Sequence, residues 1–384
     1  MSRRAYRDSI WWSGIDHRAK GGRPPAQPLK RESGDFVSPG SGLLRGAVPG
    51  MVLGQDMTAG RVEIERHRVA EDADTHEARE VWDALHAELP TTNPRYFYDD
   101  HGSALFERIT GLDEYYQTRT ELGLLEAVAD DIIARARPRE LVELGSGAGR
   151  KVYLLLDAIR DRGLLTSCVL LDVNASFLEA SAHRLAADYP EMLVRGVQGD
   201  FTRDLGAVGV GPPRLFILLA GTIGNLHRDE LPGFLRVVRG AMVADDRFLV
   251  GLDLVKDPSR LEAAYNDSAG ITAEFNRNVL RVLNERFGTD FEPDAFDHVA
   301  LWDPDHEWIE MRLRANRSMT VSMAGDDRRL SLGAGDEIRT EISCKFTRDS
   351  VVDRLRGTGL ELDGWWTDSD RLFALALLRP EGYR

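Results

Sequence analysis

Cysteine is nearly absent: the 384-residue chain has two, Cys168 and Cys344. That excludes a disulfide framework and a cysteine-rich zinc site, and makes a reducing, cytoplasmic setting the expectation. Long apolar runs are absent as well. Leu215 to Ala220 typifies the longest, far short of the roughly 18 residues of a membrane-spanning helix, so no membrane partner is expected. Basic charge is in deficit, with 49 Lys+Arg against 63 Asp+Glu and a net charge of −14. A generic nucleic-acid or anionic-membrane binder needs the opposite balance, because phosphates are neutralised by Lys and Arg.

The first fifty residues break that pattern. They carry nine Lys or Arg against four Asp or Glu, with eight Gly and five Pro. Such a stretch buries too little apolar surface to offset its chain entropy, so residues 1–60 are expected to be a disordered N-terminal extension. No apolar segment of roughly 7–15 residues follows its arginines, so a signal peptide is not expected. Met51 and Met57 stand as alternative starts.

From about residue 61 the chain has regular periodicity. Helices are expected over 73–90, 102–110 and 119–136, each with apolar side chains at helical spacing. Then short, mostly apolar runs alternate with helical segments. Strands are expected at Leu141–Leu144, Cys168–Val173, Leu193–Gln198, Leu215–Ala220 and Phe248–Val255, with helices over Lys151–Arg162 and Ser176–Ala187. Strands apolar on both faces and separated by helices indicate a parallel, doubly wound α/β sheet covered on both sides. Two late runs, Cys344–Thr347 and Leu372–Leu378, are candidates to complete it. The ninety-odd residues between Val255 and these runs have mixed character and suit a second lobe.

The central motif is Glu143-Leu-Gly145-Ser-Gly147-Ala-Gly149-Arg-Lys151, a glycine turn after a strand and before a helix. This is the context in which backbone amides receive a nucleotide-like ligand. Asp172 ends the next strand, where a carboxylate can accept both hydroxyls of a ribose. Asp200-Phe201 follows the strand after that, an acid and an aromatic wall for an adenine edge. The dinucleotide fingerprint G-x-G-x-x-G fails at Arg150, and the phosphate loop fails because Val152 follows Lys151. The ordered set of Glu143, the glycines, Asp172, Asp200 and Phe201 resembles the S-adenosylmethionine (SAM) site of Rossmann-like class I methyltransferases.

Further motifs narrow the resemblance. They are Tyr96-Phe-Tyr98-Asp99, Gly102-Ser103-x-Leu105-Phe106, Glu114-Tyr-Tyr-Gln-Thr-Arg-Thr-Glu121, Gly221-Thr-Ile-Gly-Asn225, Asp253-Leu-Val-Lys-Asp257, Tyr265-Asn-Asp-Ser-Ala-Gly270, Phe275-Asn-Arg-Asn278, Ile309-Glu-Met-Arg-Leu-Arg314 and Thr340-Glu-Ile-Ser-Cys-Lys-Phe346. Together, over roughly residues 67–380, they resemble the L-histidine-specific Nα-methyltransferases of ergothioneine biosynthesis. The resemblance implies a SAM-dependent methyltransferase core at 120–255 plus 346–384. It implies a second, α+β histidine-binding domain at 67–119 plus 256–345, with the substrate in the cleft between.

Carried over position by position, the resemblance assigns SAM to Gly145, Lys151, Asp172, Asp200 and Phe201. Asn225 and Tyr265 correspond to the pair that takes the substrate carboxylate. Tyr115, Glu341 and Ser343 correspond to the group that reads the imidazole, and Met311 to an apolar wall beside it. Tyr98 faces the amine as the catalytic candidate; the proton acceptor itself is left open among Tyr98, the backbone carbonyl of residue 220 and water. The implied reaction is three successive transfers from SAM to the α-amine of L-histidine, giving hercynine. No metal is implied, and a monomer is expected. Two positions depart from the family pattern. Ala220-Gly221 stands where members carry Gly-Ser, and Asn174 replaces an acid near the ribose. Read singly, Glu341 is an ordinary strand residue, Ser343 carries no signal, and Trp365-Trp366 suggests aromatic packing. The alternatives weighed are a sister methyltransferase for another amine, a non-catalytic SAM-binding module, and a nicotinamide enzyme, the last disfavoured by Arg150. His306-Glu307 lacks the second histidine of a zinc-binding His-Glu-x-x-His motif.

Overall fold

The computed structural model describes residues 61–66, 71–145 and 151–382, with backbone only for 66 and 71–75. All belong to the unit running from Met57 to Arg384. The expected disordered extension, and Gly147, Gly149 and Arg150 of the glycine turn, lie outside the described residues.

One eight-stranded sheet organises the molecule. In chain order its strands are β1 (Val62–Arg66), β2 (Glu140–Leu144), β3 (Ser167–Asp172), β4 (Leu193–Gln198), β5 (Arg214–Leu218) and β6 (Arg247–Asp253). Its last two are Leu360–Thr367 and Phe373–Pro380. Across the sheet they lie in the order β1, β4, β3, β2, β5, β6, then Phe373–Pro380 and Leu360–Thr367. The first six pair in parallel and the last two antiparallel. The chain winds from β2 outward through β3 and β4, then returns to β5 on the other side of β2. The resulting crevice outside the carboxyl ends of β2 and β5 is where an open α/β sheet binds ligands.

Alternation along the strands fills both faces. In β3, Cys168 and Leu170 join one buried cluster while Val169 and Leu171 join the other. This is why these strands read as unbroken apolar runs. Helices α1 (Glu71–Leu85), α2 (Asp100–Thr110) and α3 (Tyr116–Ala136) precede β2, and α4 (Val152–Asp161), α5 (Ala175–Asp188) and α6 (Leu231–Ala241) intervene between later strands. The first ends five residues before the expected 90, ahead of Pro90.

The second lobe has its own core. Helices α7 (Pro258–Tyr265) and α8 (Ile271–Phe287) precede strands β7 (Phe296–Asp303) and β8 (Trp308–Ala315), a hairpin of β9 (Met319–Met323) with β10 (Asp326–Leu332), and β11 (Glu337–Cys344). β11, β8 and β7 form a separate antiparallel sheet. Trp82, Phe97 and Leu105 from the N-terminal segment share a cluster with Phe275, Leu283, Leu313 and Ile338. The segment before α3 and the late insertion therefore bury one apolar surface together.

Two expectations differ. The run starting at Cys344 does not extend the large sheet: Cys344 closes β11 in the small one, and Phe346 meets the end of the large sheet through a bridge to Leu254, an N–H donated to the Asp253 carbonyl at 2.9 Å and a side chain packed in its core. Apolarity marked burial there without marking which sheet. Meanwhile Leu360–Thr367, now numbered β12 with Phe373–Pro380 as β13, forms an edge strand the sequence reading left out. Its residues after Leu360 are half-buried, so it lacks the continuous apolar signature. Trp365 and Trp366 within it pack against the two sheet cores, Trp366 Nε1 also donating to Asp131 at 2.9 Å.

Candidate active site

Outside the carboxyl ends of β2 and β5 lies a cavity of about 800 Å³. Every site residue named from the sequence lines it: Tyr98, Tyr115, Gly145, Lys151, Asp172, Asp200, Phe201, Asn225, Tyr265, Met311, Glu341 and Ser343. They come from positions up to 245 residues apart, brought together by the strand ends on one side and the second lobe on the other.

The sheet side is built from strand ends. Gly145 leaves β2 at φ +74°, a left-handed backbone that favours glycine, and its N–H donates to the Leu171 carbonyl at 2.8 Å. Asp172 ends β3 and accepts the Asn174 N–H at 2.8 Å. Asn174, at the position that departs from the family, caps α5 by accepting the Phe177 N–H at 3.1 Å. Its amide also donates to the Tyr98 carbonyl at 3.1 Å, tying this wall to the other. Asp200, just past β4, accepts from the Thr202 hydroxyl at 2.6 Å and from Arg95 at 3.3 Å. Phe201 meets Phe234 edge-on at 5.8 Å.

Glu143 lies in the same wall, and burial, then the neighbouring Asp172 charge, push its carboxyl up to about 8 against the pull of Lys151. Its Oε2 has no hydrogen-bond partner among the described residues.

A buried carboxylate links the walls. Glu121 on α3 is fully buried, pairs with Lys151, and accepts the Ala220 N–H with both oxygens at 3.0 and 2.9 Å. Ala220 sits at φ +64° and Gly221 at φ +68°, so the departure from the family pattern places a side chain in the left-handed region. Gly251 on β6 makes room: a Cβ there would lie 2.0 Å from Glu121 Oε1.

The lobe side is aromatic and charged. Tyr98 meets Phe106 and Phe275, each at 5.8 Å, and Phe106 meets Tyr115 at 6.1 Å, which meets Tyr265 at 6.5 Å. Burial, then the charges of Glu341, Tyr265 and Asp172, hold the Tyr98 hydroxyl well above its usual pKa, so it stays protonated at neutral pH. Burial does the same for Tyr115 and Tyr265. Glu341 and Met311 are register partners on β11 and β8. Burial raises the Glu341 carboxyl to about 7, against Lys345 and a hydrogen bond from Asn225.

Beneath them Lys345 is fully buried and donates to Ser343 Oγ at 2.8 Å and to the Tyr265 hydroxyl at 2.9 Å, and pairs with Asp253 at 2.9 Å. Tyr265 in turn donates to Ser343 at 2.7 Å. Asp253 also binds Lys256 and accepts from Tyr116 at 2.8 and 2.9 Å. A carboxylate flanked by two ammonium groups and a phenol is satisfied despite its burial, and the lysines hold its pKa down.

Glu121, Lys345, Phe106 and Phe275 were not singled out from the sequence, although all lie within or beside the quoted motifs. Their signal was motif membership; nothing in their residue type separates them from core or surface positions. His306, by contrast, bonds Asp303 at 2.7 Å and stacks on Trp308 at 4.3 Å, away from the cavity.

The comparisons with known proteins agree in direction. A family model described as histidine-specific methyltransferase, SAM-dependent, matches residues 77–380. The chain is 44% identical over 299 residues to a histidine N-alpha-methyltransferase of Mycolicibacterium smegmatis, covering 78% of this chain and 93% of that protein. It is 43% identical over 319 residues to the protein of the same name from Mycobacterium tuberculosis, covering 83% and 99%. Ergothioneine biosynthesis protein 1 of Neurospora crassa is 30% identical over 286 residues, covering 73% of this chain and 32% of that protein.

Proposed function

This chain belongs to the family of histidine-specific, SAM-dependent methyltransferases, and from that premise we propose that it methylates the α-amine of L-histidine three times, forming hercynine, the first step of ergothioneine biosynthesis. The observation that carries the reading is one cavity lined by strand-end acids on one wall and by Glu341, Ser343 and tyrosines on the other. The residues present fit the donor. The cavity wall holds a buried carboxyl oxygen of Glu143 without a partner among the described residues, and Asp172 and Asp200 at successive strand ends suit a ribose diol and an adenine amine.

The donor supplies a methyl group already activated on a sulfonium. The protein's task is therefore alignment in a dry cleft. Asp172 accepts the ribose hydroxyls, Asp200 and Phe201 hold the adenine, and Gly145 and Lys151 complete that side. Asn225 and Tyr265 take the histidine carboxylate, the Tyr265 hydroxyl turning its hydrogen from Ser343 to the ligand while Lys345 continues to donate to both. Glu341 accepts an imidazole N–H, Ser343 satisfies the other ring nitrogen, and Tyr115 and Met311 close the pocket around the ring. A substrate with an apolar side chain leaves both polar groups unpaired, the kind of mismatch that gives strong rejection. Tyr98, kept protonated, offers the amine a hydroxyl oxygen and a ring face. It does not act as a phenolate base at neutral pH. Each transfer brings the nitrogen closer to a permanent cation, for which tyrosine and phenylalanine faces are suited.

The division into a core at 120–255 plus 346–384 and a substrate domain at 67–119 plus 256–345 is part of the same proposal. The shared cluster of N-terminal and inserted segments supports it. The substrate is a small molecule, and no described helix is long and apolar enough to cross a membrane. The test is incubation of purified protein with L-histidine and SAM, followed by mass spectrometry. Mono-, di- and trimethylated histidine are expected in sequence; absence of any methylated histidine at saturating donor rejects the reading.

A further inference from the structure

Gln117 sits in the first turn of α3 and is only 3% exposed. It lines the cavity, and neither its Nε2 nor its Oε1 has a hydrogen-bond partner among the described residues. An amide buried with both ends unmet is costly, at about 1–3 kcal/mol for each unsatisfied group. Native structures keep few such groups, and those they keep call for an explanation. A purely structural glutamine here has none, since an apolar residue of the same volume would cost less.

The two orphan atoms have opposite character and lie on one planar group. A partner must offer an N–H donor and an oxygen acceptor side by side. An adenine edge does so with nitrogen in place of oxygen, but its proposed place is at Asp200 and Phe201 beyond β4, two strands from β2. Gln117 lies on the opposite side of the crevice. One helical turn further along α3, Glu121 holds the Ala220 amide that follows β5, and Lys151 at the start of α4. Two residues before Gln117 is Tyr115, which faces Tyr265. At this junction the remaining chemistry with an adjacent ammonium and carboxylate is an α-amino-acid head.

We propose that Gln117 clasps an α-amino-acid head group, its Oε1 accepting from the amino nitrogen and its Nε2 donating to the carboxylate. The inference rests on the function proposed above, under which donor and acceptor each carry such a head. The glutamine thus has its hydrogen bonds satisfied only in the filled site.

The experiment compares wild type with Gln117→Met, which keeps the volume and removes both polar atoms. Calorimetry measures four ligands: S-adenosylhomocysteine, 5′-methylthioadenosine (the same nucleoside without the amino-acid head), histidine, and 4-methylimidazole (the histidine side chain without its amino-acid head). Thermal melting of the ligand-free proteins is measured alongside. The substitution is expected to leave the melting temperature unchanged or higher, because a buried unsatisfied amide is gone. It is expected to weaken a head-bearing ligand about 10- to 100-fold while its headless counterpart changes less than about twofold. A selective loss for S-adenosylhomocysteine identifies the donor's head, and a selective loss for histidine identifies the acceptor's. The proposal is overturned if all four affinities stay within about twofold of wild type. It is also overturned if all four fall together with the melting temperature, which is the mark of a merely structural residue. If wild type binds neither histidine nor S-adenosylhomocysteine, the function itself fails and this inference with it.

Discussion

The two walls of the cavity solve the same problem by different means. The sheet wall uses backbone turns and single carboxylates at successive strand ends, so its residues occur in sequence order and at the spacing of a strand–helix repeat. The lobe wall uses side chains from several separate segments, braced from behind by Lys345, Asp253, Lys256 and Tyr116. A strand-end acid is placed by the sheet itself. Ser343 and Tyr265 are placed by a buried ammonium that holds both. The sheet wall is thus generic to its fold, whereas the lobe wall is specific to its ligand.

The sharpest way to break this comparison is to disable each wall singly. Asp172→Ala is expected to weaken S-adenosylhomocysteine by about 100-fold or more, since hydrogen bonds to a charged group contribute about 1.5–3 kcal/mol each. Histidine affinity should change less than about threefold. Glu341→Ala should do the reverse. Calorimetry on the two variants decides it, and equal losses of both ligands in either variant would show that the walls are not separable.

The contrast also explains what was legible in the sequence. β2 to β6 announced themselves because both faces are covered, and their glycine and acids follow at fixed places. Lobe residues such as Glu341 and Ser343 carried no signal alone; only the joint motif pattern picked them out. Lys345 lay inside a quoted motif, yet a buried lysine looks like an exposed one until Asp253 is seen 2.9 Å away. Gln117 was equally silent, because its meaning lies in partners it lacks. The assignment of Cys344 onward to the large sheet failed for a related reason: a run buried between lobe and core reads the same whichever sheet it joins.

A smaller effect follows from proton occupancy. Glu341 has its carboxyl raised to about 7, first by burial. If it must accept an imidazole N–H, it must be ionised. Histidine affinity should therefore rise with pH through about 7 and fall up to about tenfold per unit below it. Glu341→Gln should bind more weakly at pH 8 and show a shallower dependence, leaving only the ligand's own titration. The linkage to folding has the opposite direction. A carboxyl whose pKa is higher folded than unfolded binds protons on folding, so its contribution to stability diminishes as pH rises from about 4.5 through about 7. Glu143, raised to about 8, extends that window upward. Calorimetric titration from about pH 6 to about 8, with melting curves at each pH, checks both signs. A pH-independent wild-type affinity would remove Glu341 from the recognition role.

The smallest expected effect concerns the one turn that belongs to both walls. Ala220 holds φ +64° because Glu121 captures its N–H from one side, while Glu121 is itself paired with Lys151 at the start of α4. A non-glycine residue in the left-handed region costs about 1–2 kcal/mol, and the network sustains it. Ala220→Gly removes that strain but adds freedom to the unfolded chain, worth about 0.4–1 kcal/mol in the other direction. The net expectation is a gain of about 0.5–1 kcal/mol, read as a higher denaturation midpoint with unchanged slope. Because Glu121 still fixes the amide, kcat should stay within about twofold. Paired with Glu121→Gln, which keeps an acceptor but removes the charge that Lys151 needs, the glycine variant separates two accounts of the turn. If Glu121 merely offsets backbone strain, the glycine should restore the double variant to near wild-type turnover. If Glu121 sets where the donor wall stands relative to the acceptor wall, turnover should remain depressed while stability recovers.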